Sequence, residues 1–252
     1  MIMKIFTYDG TFAGLLSLIS YCYKQKILPD FIYKECSPGF FDIFEIHKEI
    51  KTNQKDSKFV VNLIIQKTDL NVLKNIFLGY LSDMENIEAT IVKYFFLCIN
   101  LNKNAEMFIK KDCVIKLKRV LHKVKKEAHK FTGLLRFRKI SNELYYAPFE
   151  PDHNIIPLLR NHFVKRFPTQ NWIIHDLRRN IALFYNKDTA STLLKFSSDI
   201  PVLKKEQLPH DEVFFQKLWK EYFNSVTIKE RKNLKLQRQY MPLRYWKYLT
   251  EL

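Results

Sequence analysis

The sequence predicts an α+β protein: an N-terminal βαβ unit and helical segment, then a ββαββ antiparallel sheet, then C-terminal helices. Three observations carry this prediction. Apolar residues recur at the helical period over residues 12–24 and through most of 57–130, the period switches to two after Phe131, and it becomes helical again over 213–224. With 47% hydrophobic residues and only five glycines in 252, the chain has the composition of a folded protein with a core.

Residues 2–8 read as a strand. Asp9-Gly10-Thr11 then turns the chain into a helix over 12–24, because an Asp9 or Thr11 oxygen can accept the orphan N–H groups of its first turn. Phe12, Leu15, Leu16, Ile19 and Tyr23 form its apolar face, and residues 31–35 make a second strand. The polar stretch 51–58 reads as a connection. Residues 57–101 read as helical, with Thr68 and Asp69 starting a second helix there and Ile87, Ile91, Tyr94, Phe95 and Cys98 marking a third.

The segment 105–130 combines two stripes. Cys113, Leu117, Val120, Leu121, Val124 and Ala128 form an apolar face, while Lys116, Arg119, Lys123, Lys126 and Lys130 repeat at the same spacing on the other side. A helix that only needed to be soluble would mix signs for i,i+4 pairing; from residue 112 to 130 this one has only Asp112 and Glu127 as its acids. Its cationic face suits phosphates, with an ordinary solvated surface as the alternative.

After Phe131, residues 134–140 and 144–149 read as a β-hairpin. Glu150-Pro151-Asp152-His153 is a turn, from which Asp152 could cap a helix over 154–167. Residues 172–176 and 181–185 form a second hairpin, so the expected sheet has four antiparallel strands with a helix on one face. Residues 187–209 read as a loop. The organisation is either an N-terminal region 1–104 and a C-terminal region 105–252, or one continuous domain.

The chain carries 42 Lys and Arg against 26 Asp and Glu, a formal charge of +16. Such a field attracts polyanions, nucleic acid foremost, with an anionic membrane surface or an acidic protein as alternatives. Cys22, Cys36, Cys98 and Cys113 include no C-x-x-C pair and no zinc or iron–sulfur spacing, so reduced thiols in a cytoplasmic protein are expected. No signal peptide or membrane span is visible, and no membrane partner is expected.

Several clusters could carry chemistry. In the tail, Arg238, Arg244 and Lys247 interleave with Tyr245 and Trp246; cations neutralise phosphates and aromatic planes stack on bases, or the cluster simply packs the chain end onto the core. Arg178 and Arg179 at a hairpin tip suit a phosphate clamp or an ordinary turn, and Arg136 and Arg138 add charge to the first hairpin. His129, Glu150, Asp152, His153 and His175 are catalytic candidates, since a carboxylate beside an imidazole can work as acid or base. They could equally serve helix ends and turns. No Walker lysine motif, G-x-G-x-x-G, H-E-x-x-H, G-x-S-x-G or three-cysteine radical-SAM motif is present, and no metal site is expected.

Five stretches coincide with one bacterial family: Tyr8-Asp9-Gly10-Thr11-Phe12-Ala13-Gly14-Leu15-Leu16; Ala128-His129-Lys130-Phe131 with Arg136-Phe137-Arg138; Phe149-Glu150-Pro151-Asp152-His153; Trp172-Ile173-Ile174-His175-Asp176 with Arg178-Arg179; and residues 236–249. The chain resembles a family of probable DNA-metabolism or repair proteins associated with a radical-SAM protein, built on a domain of unknown function whose relatives are fused to uracil-DNA-glycosylase-like domains. The resemblance covers nearly the whole chain and is weakest over 36–60. It implies DNA and a radical-SAM protein as partners. It also implies that S-adenosylmethionine and an iron–sulfur cluster belong to that partner, with no cofactor in this chain. It transfers no catalytic residue.

The expected function is a DNA-binding accessory or substrate-presenting subunit of a radical-SAM repair or modification system. One alternative is a DNA-processing enzyme (glycosylase, nuclease or lesion hydrolase) built on Glu150, Asp152 and His153. Another is a protein-interaction scaffold.

Overall fold

The computed structural model describes residues 3–34, 45–105, 110–141, 143–195 and 209–251. Ile2, Glu35, Cys36 and the later part of the expected 187–209 loop lie outside the described residues. The described chain is α+β, with the expected N-terminal βαβ arrangement and C-terminal helices. It divides into two compact units, Met1–Lys125 and Lys126–Leu252.

In the first unit, β1 (Met3–Tyr8) is central in a three-stranded parallel sheet, flanked by β2 (Phe31–Lys34) and β3 (Glu45–Glu49). The third strand was not expected. Helix α1 (Phe12–Gln25) crosses from β1 to β2 and starts where the sequence places it: the Thr11 hydroxyl accepts the Gly14 N–H at 2.9 Å, and Asp9 Oδ1 accepts the Thr11 N–H at 2.9 Å. A Cβ on Gly14 would lie 2.0 Å from Asp9 Oδ1, so only glycine lets the helix backbone come so close to this carboxylate. The polar connection read over 51–58 is shorter than expected. Asn53 caps α2 (Gln54–Lys67) by accepting the Lys55 N–H at 2.8 Å, which recruits the polar residues into its first turn. Asp69 caps α3 (Leu70–Tyr80), and α4 (Ile87–Leu101) follows.

The basic helix α5 spans Asp112–Leu134, and the boundary between the units falls within it. It continues past the residue 130 predicted from sequence because its buried row, Val120, Val124, Ala128 and Phe131, extends in helical steps to Leu135. The change of period at Phe131 is therefore later than the sequence suggests. Residues 106–109 of the expected helix lie outside the described residues. Each fully buried Val, Leu or Phe of this row contributes about 1.5–3 kcal/mol of burial free energy.

The second unit holds a five-stranded sheet ordered β4 (Arg138–Ser141), β5 (Leu144–Phe149), β6 (Asn171–Asp176), β7 (Ile181–Asn186), β8 (Ala190–Lys195). The predicted ββαββ order is present, but the sheet is not wholly antiparallel: β5 and β6 are parallel, Tyr146 opposite Ile173. Helix α6 (Ile156–Arg166) is the reason, since a helical crossover returns the chain in its original direction, whereas a tight hairpin reverses it. A fifth strand replaces the start of the predicted loop, because 190–195 adds to the free edge of β7. Asp152 does not cap α6: Ile155 occupies that position without a side-chain bond. Helix α7 (His210–Val226), α8 (Leu234–Tyr240) and α9 (Leu243–Trp246) complete the chain. Among the described residues, no helix is long and apolar enough to cross a membrane.

Candidate functional site

The first candidate is the cationic face of α5. In its first-unit portion, Lys116, Lys118, Arg119, His122, Lys123 and Lys125 are all exposed, and none joins an ion pair among the described residues. The periodicity that buries Leu117, Val120, Leu121 and Val124 dictates this, because the opposite face of the helix is left to solvent. A groove of about 840 Å³ runs beside this face within the first unit; Lys93, Lys116, Arg119, His122 and Lys123 line it, with Glu85 as its one acid. Along α5, cations one turn apart are separated by about 5 Å of helix rise. Lys93, on α4, was not singled out in the sequence, where it reads as one polar residue of an apolar helix. Farther along α5, Lys126 and His129 are exposed and Lys130 is half-buried.

Glu127, the acid that should have diluted this charge, is turned inward. It is buried, and its Oε1 accepts the Asp152 N–H and the Tyr245 hydroxyl, both at 2.7 Å, while Oε2 accepts the His153 N–H at 2.9 Å. The turn 150–153 is thus held by its backbone to α5, and the tail is bound through the same carboxylate.

The remaining catalytic candidates are placed by this network. Asp152 accepts a hydrogen bond from Arg244, which also donates to the Tyr245 hydroxyl at 3.0 Å. Glu150 accepts from Lys247 at 2.7 Å and from the Tyr248 hydroxyl at 2.5 Å. Burial pushes the Glu150 carboxyl upward, but the Lys247 and Tyr248 bonds outweigh it and hold the group below its ordinary range. His153 is buried beside them, whereas His129 is not gathered into the cluster: its backbone oxygen accepts from Thr132.

The structure brings the end of β6 to the same turn. Asp176 is fully buried; its Oδ1 accepts the Arg178 and Arg179 N–H groups at 3.0 and 3.2 Å, and its Oδ2 accepts from the Arg179 guanidinium at 2.6 Å. Burial drives its carboxyl above the usual aspartate range despite Arg179 and the backbone donors. Arg179 in turn donates to the Pro151 and Asp152 carbonyls at 3.3 and 2.7 Å, and Arg178 to the Asp152 carbonyl at 3.4 Å. His175 lies 2.8 Å from the Tyr146 hydroxyl through Nδ1 and 3.3 Å from Asn180 Oδ1 through Nε2. A neutral imidazole accepting at Nδ1 and donating from Nε2 satisfies both contacts, and burial holds its pKa below the ordinary histidine range. Among the described residues, no group of three or more His, Cys, Asp or Glu side chains is placed to hold a metal ion.

Of the tail residues, Arg244, Lys247, Tyr245 and Trp246 make internal contacts. Tyr245 is buried with its ring centroid 4.7 Å from that of Phe131, and the Trp246 indole donates to the Met241 carbonyl at 2.8 Å. Arg136 grips Glu251 through Nε at 3.1 Å and through Nη2, Arg138 is half-buried on β4, and Arg238 is exposed on α8. Burial raises the Glu251 carboxyl, but Arg136 and the Trp219 indole pull it below its usual range.

This docking has a defined pH dependence. Glu150 and Glu251 both have folded pKa values below their unfolded ones, so their contribution is fully present above the ordinary carboxylate range and is lost as pH falls through the folded values. Urea midpoints followed by tryptophan fluorescence should fall on acidification below about pH 4, and Glu150→Gln should flatten that dependence.

A family model described as "Domain of unknown function (DUF4130)" matches residues 85–251, which contain α4, α5 and all the described elements of the second unit. No curated protein and no solved structure matches the chain.

Proposed function

This chain belongs to the DUF4130 family, and from that premise we propose that it is a DNA-binding accessory or substrate-presenting subunit. Its partner would be a radical-SAM protein of a cytoplasmic DNA repair or modification system. The observation that carries DNA binding is the groove beside α5, where Lys93, Lys116, Arg119 and Lys123 converge while Glu127 points into the interior. Phosphates need cations that are exposed and not already neutralised, and these meet both conditions. The radical-SAM partner rests on the family resemblance of the sequence motifs. The enzyme alternative is less favoured, because Glu150 and Asp152 are engaged by Lys247, Tyr248 and Arg244.

The test is the salt dependence of DNA binding. Each phosphate neutralised adds roughly 0.9 to the magnitude of the slope of log K against log salt for duplex DNA. Replacing Lys116, Arg119 and Lys123 together by glutamine should therefore reduce that magnitude by about 2.7. The substituted side chains are exposed, so the melting temperature should be unchanged. Unaltered binding in the triple variant would remove the groove from the interface. Copurification with the radical-SAM protein tests the partner separately.

A further inference from the structure

The second unit contains a cleft of about 830 Å³, bounded on one side by the end of α6 with the sheet and on the other by α7. Its walls are chiefly aromatic. On the α6 side, the Phe137 ring packs edge-to-face on Phe163 and Phe167, each at 5.3 Å, and on Trp172 at 6.1 Å. This interlocked arrangement fixes the ring planes. On the α7 side, Phe215, Trp219 and Tyr222 remain 58%, 41% and 57% exposed, an unusual concentration of uncovered aromatic surface on one helix. Trp219 is oriented: its indole N–H donates to Glu251 at 3.0 Å, and the Arg136 guanidinium lies 5.7 Å from its ring centroid.

The polar groups of the cleft narrow the occupant. Gln170 and Gln216 supply amides, which offer both a donor and an acceptor; one Gln216 N–H is already given to Glu212, the acid of the lining, at 2.8 Å. Arg166, exposed and in no ion pair among the described residues, sits 5.5 Å from the Phe167 ring centroid; Arg136 also lines the cleft, with its charge met by Glu251. An aliphatic ligand would use neither the amides nor the cations. An unpaired nucleobase uses all three features: its π faces stack on rings, its edge carries donors and acceptors, and its backbone is anionic.

We propose that this cleft binds an unpaired nucleobase of single-stranded DNA. The proposal rests on the reading of the chain as a DNA-binding protein and adds the part of the nucleic acid that the second unit recognises. The groove beside α5 would hold phosphates, and the cleft would hold a base.

The experiment compares the full chain binding a short oligothymidylate, an abasic oligonucleotide of the same length and a duplex, at one low salt concentration, by fluorescence anisotropy. Oligothymidylate should bind more tightly than the abasic chain by about fivefold or more, the worth of one stacked base. Tyr222→Ala and Phe215→Ala should each erode that preference while leaving abasic binding and the circular dichroism spectrum unchanged. Equal affinity for the two single strands overturns the cleft and leaves the groove reading standing. A preference that survives both substitutions also overturns it and puts base recognition outside the cleft. Failure to bind any of the three probes overturns the groove reading together with the cleft.

Discussion

Replacing Glu127 by alanine is expected to destabilise the second unit by about 3 kcal/mol or more. The carboxylate is buried and accepts from two backbone N–H groups, Asp152 and His153, and from the Tyr245 hydroxyl. Removing it leaves these donors without their acceptor, the His153 N–H and the Tyr245 hydroxyl in buried positions, at about 1–3 kcal/mol for each buried group left unsatisfied. The losses will not add fully, because the three donors share one carboxylate. Glu127→Gln is expected to lose less: one oxygen survives, but the new amide presents a donor to a donor. Urea denaturation followed by tryptophan fluorescence measures both. A midpoint within error of wild type for Glu127→Ala would show that the turn and tail are held by other contacts.

Asp176→Asn is expected to have a comparable effect, about 3–5 kcal/mol, for a different reason. Asparagine keeps an oxygen for the backbone N–H groups of Arg178 and Arg179 but places an amide against the Arg179 guanidinium. The Arg179 side chain is only 14% exposed, so the change removes the Asp176 carboxylate from a largely buried guanidinium. The decisive measurement is a double-mutant cycle. Arg179→Met in the Asp176→Asn background removes the guanidinium that Asp176 neutralised and should recover part of the loss. Strict additivity of the two changes would show that the pair is not coupled. Burial already holds Asp176 above its ordinary range, so its ionised form is costly in the fold. With the folded pKa raised, that cost appears as pH rises from the ordinary aspartate range through the folded value, opposite in sign to the behaviour of Glu150 and Glu251.

Features whose cause lies within a few residues were legible in the sequence. The Thr11 cap, the Asp69 cap and the β6–β7 hairpin each follow from adjacent residues, and the amphipathic division of α5 follows from spacing alone. The parallel pairing of β5 with β6 was not legible, because it depends on how α6 packs back on the sheet, as with the Phe163 and Trp172 rings at 6.3 Å. Strand β8 was missed because an edge strand gains its order from the neighbour it pairs with. The aromatic cleft was also missed. Phe137, Phe167, Trp172 and Trp219 are scattered through hairpin, helix end, strand and later helix, and no spacing rule joins them.

By itself the sequence determined the α+β class, the excess of positive charge and which side of α5 carries it. Periodicity reports which face of an element is buried, and charge counting needs no contacts. Only the tertiary structure decided what each charge meets. Glu127, read along the helix, is one of two acids among the cations, yet it bonds Tyr245, 118 residues away. Arg244 and Lys247 resemble free cations in the sequence and meet Asp152 and Glu150 in the fold. A residue's type sets what it can pair with; which partner it finds depends on the packing of distant segments, and that separated the groove-lining cations of α5 from the tail cations that secure the fold.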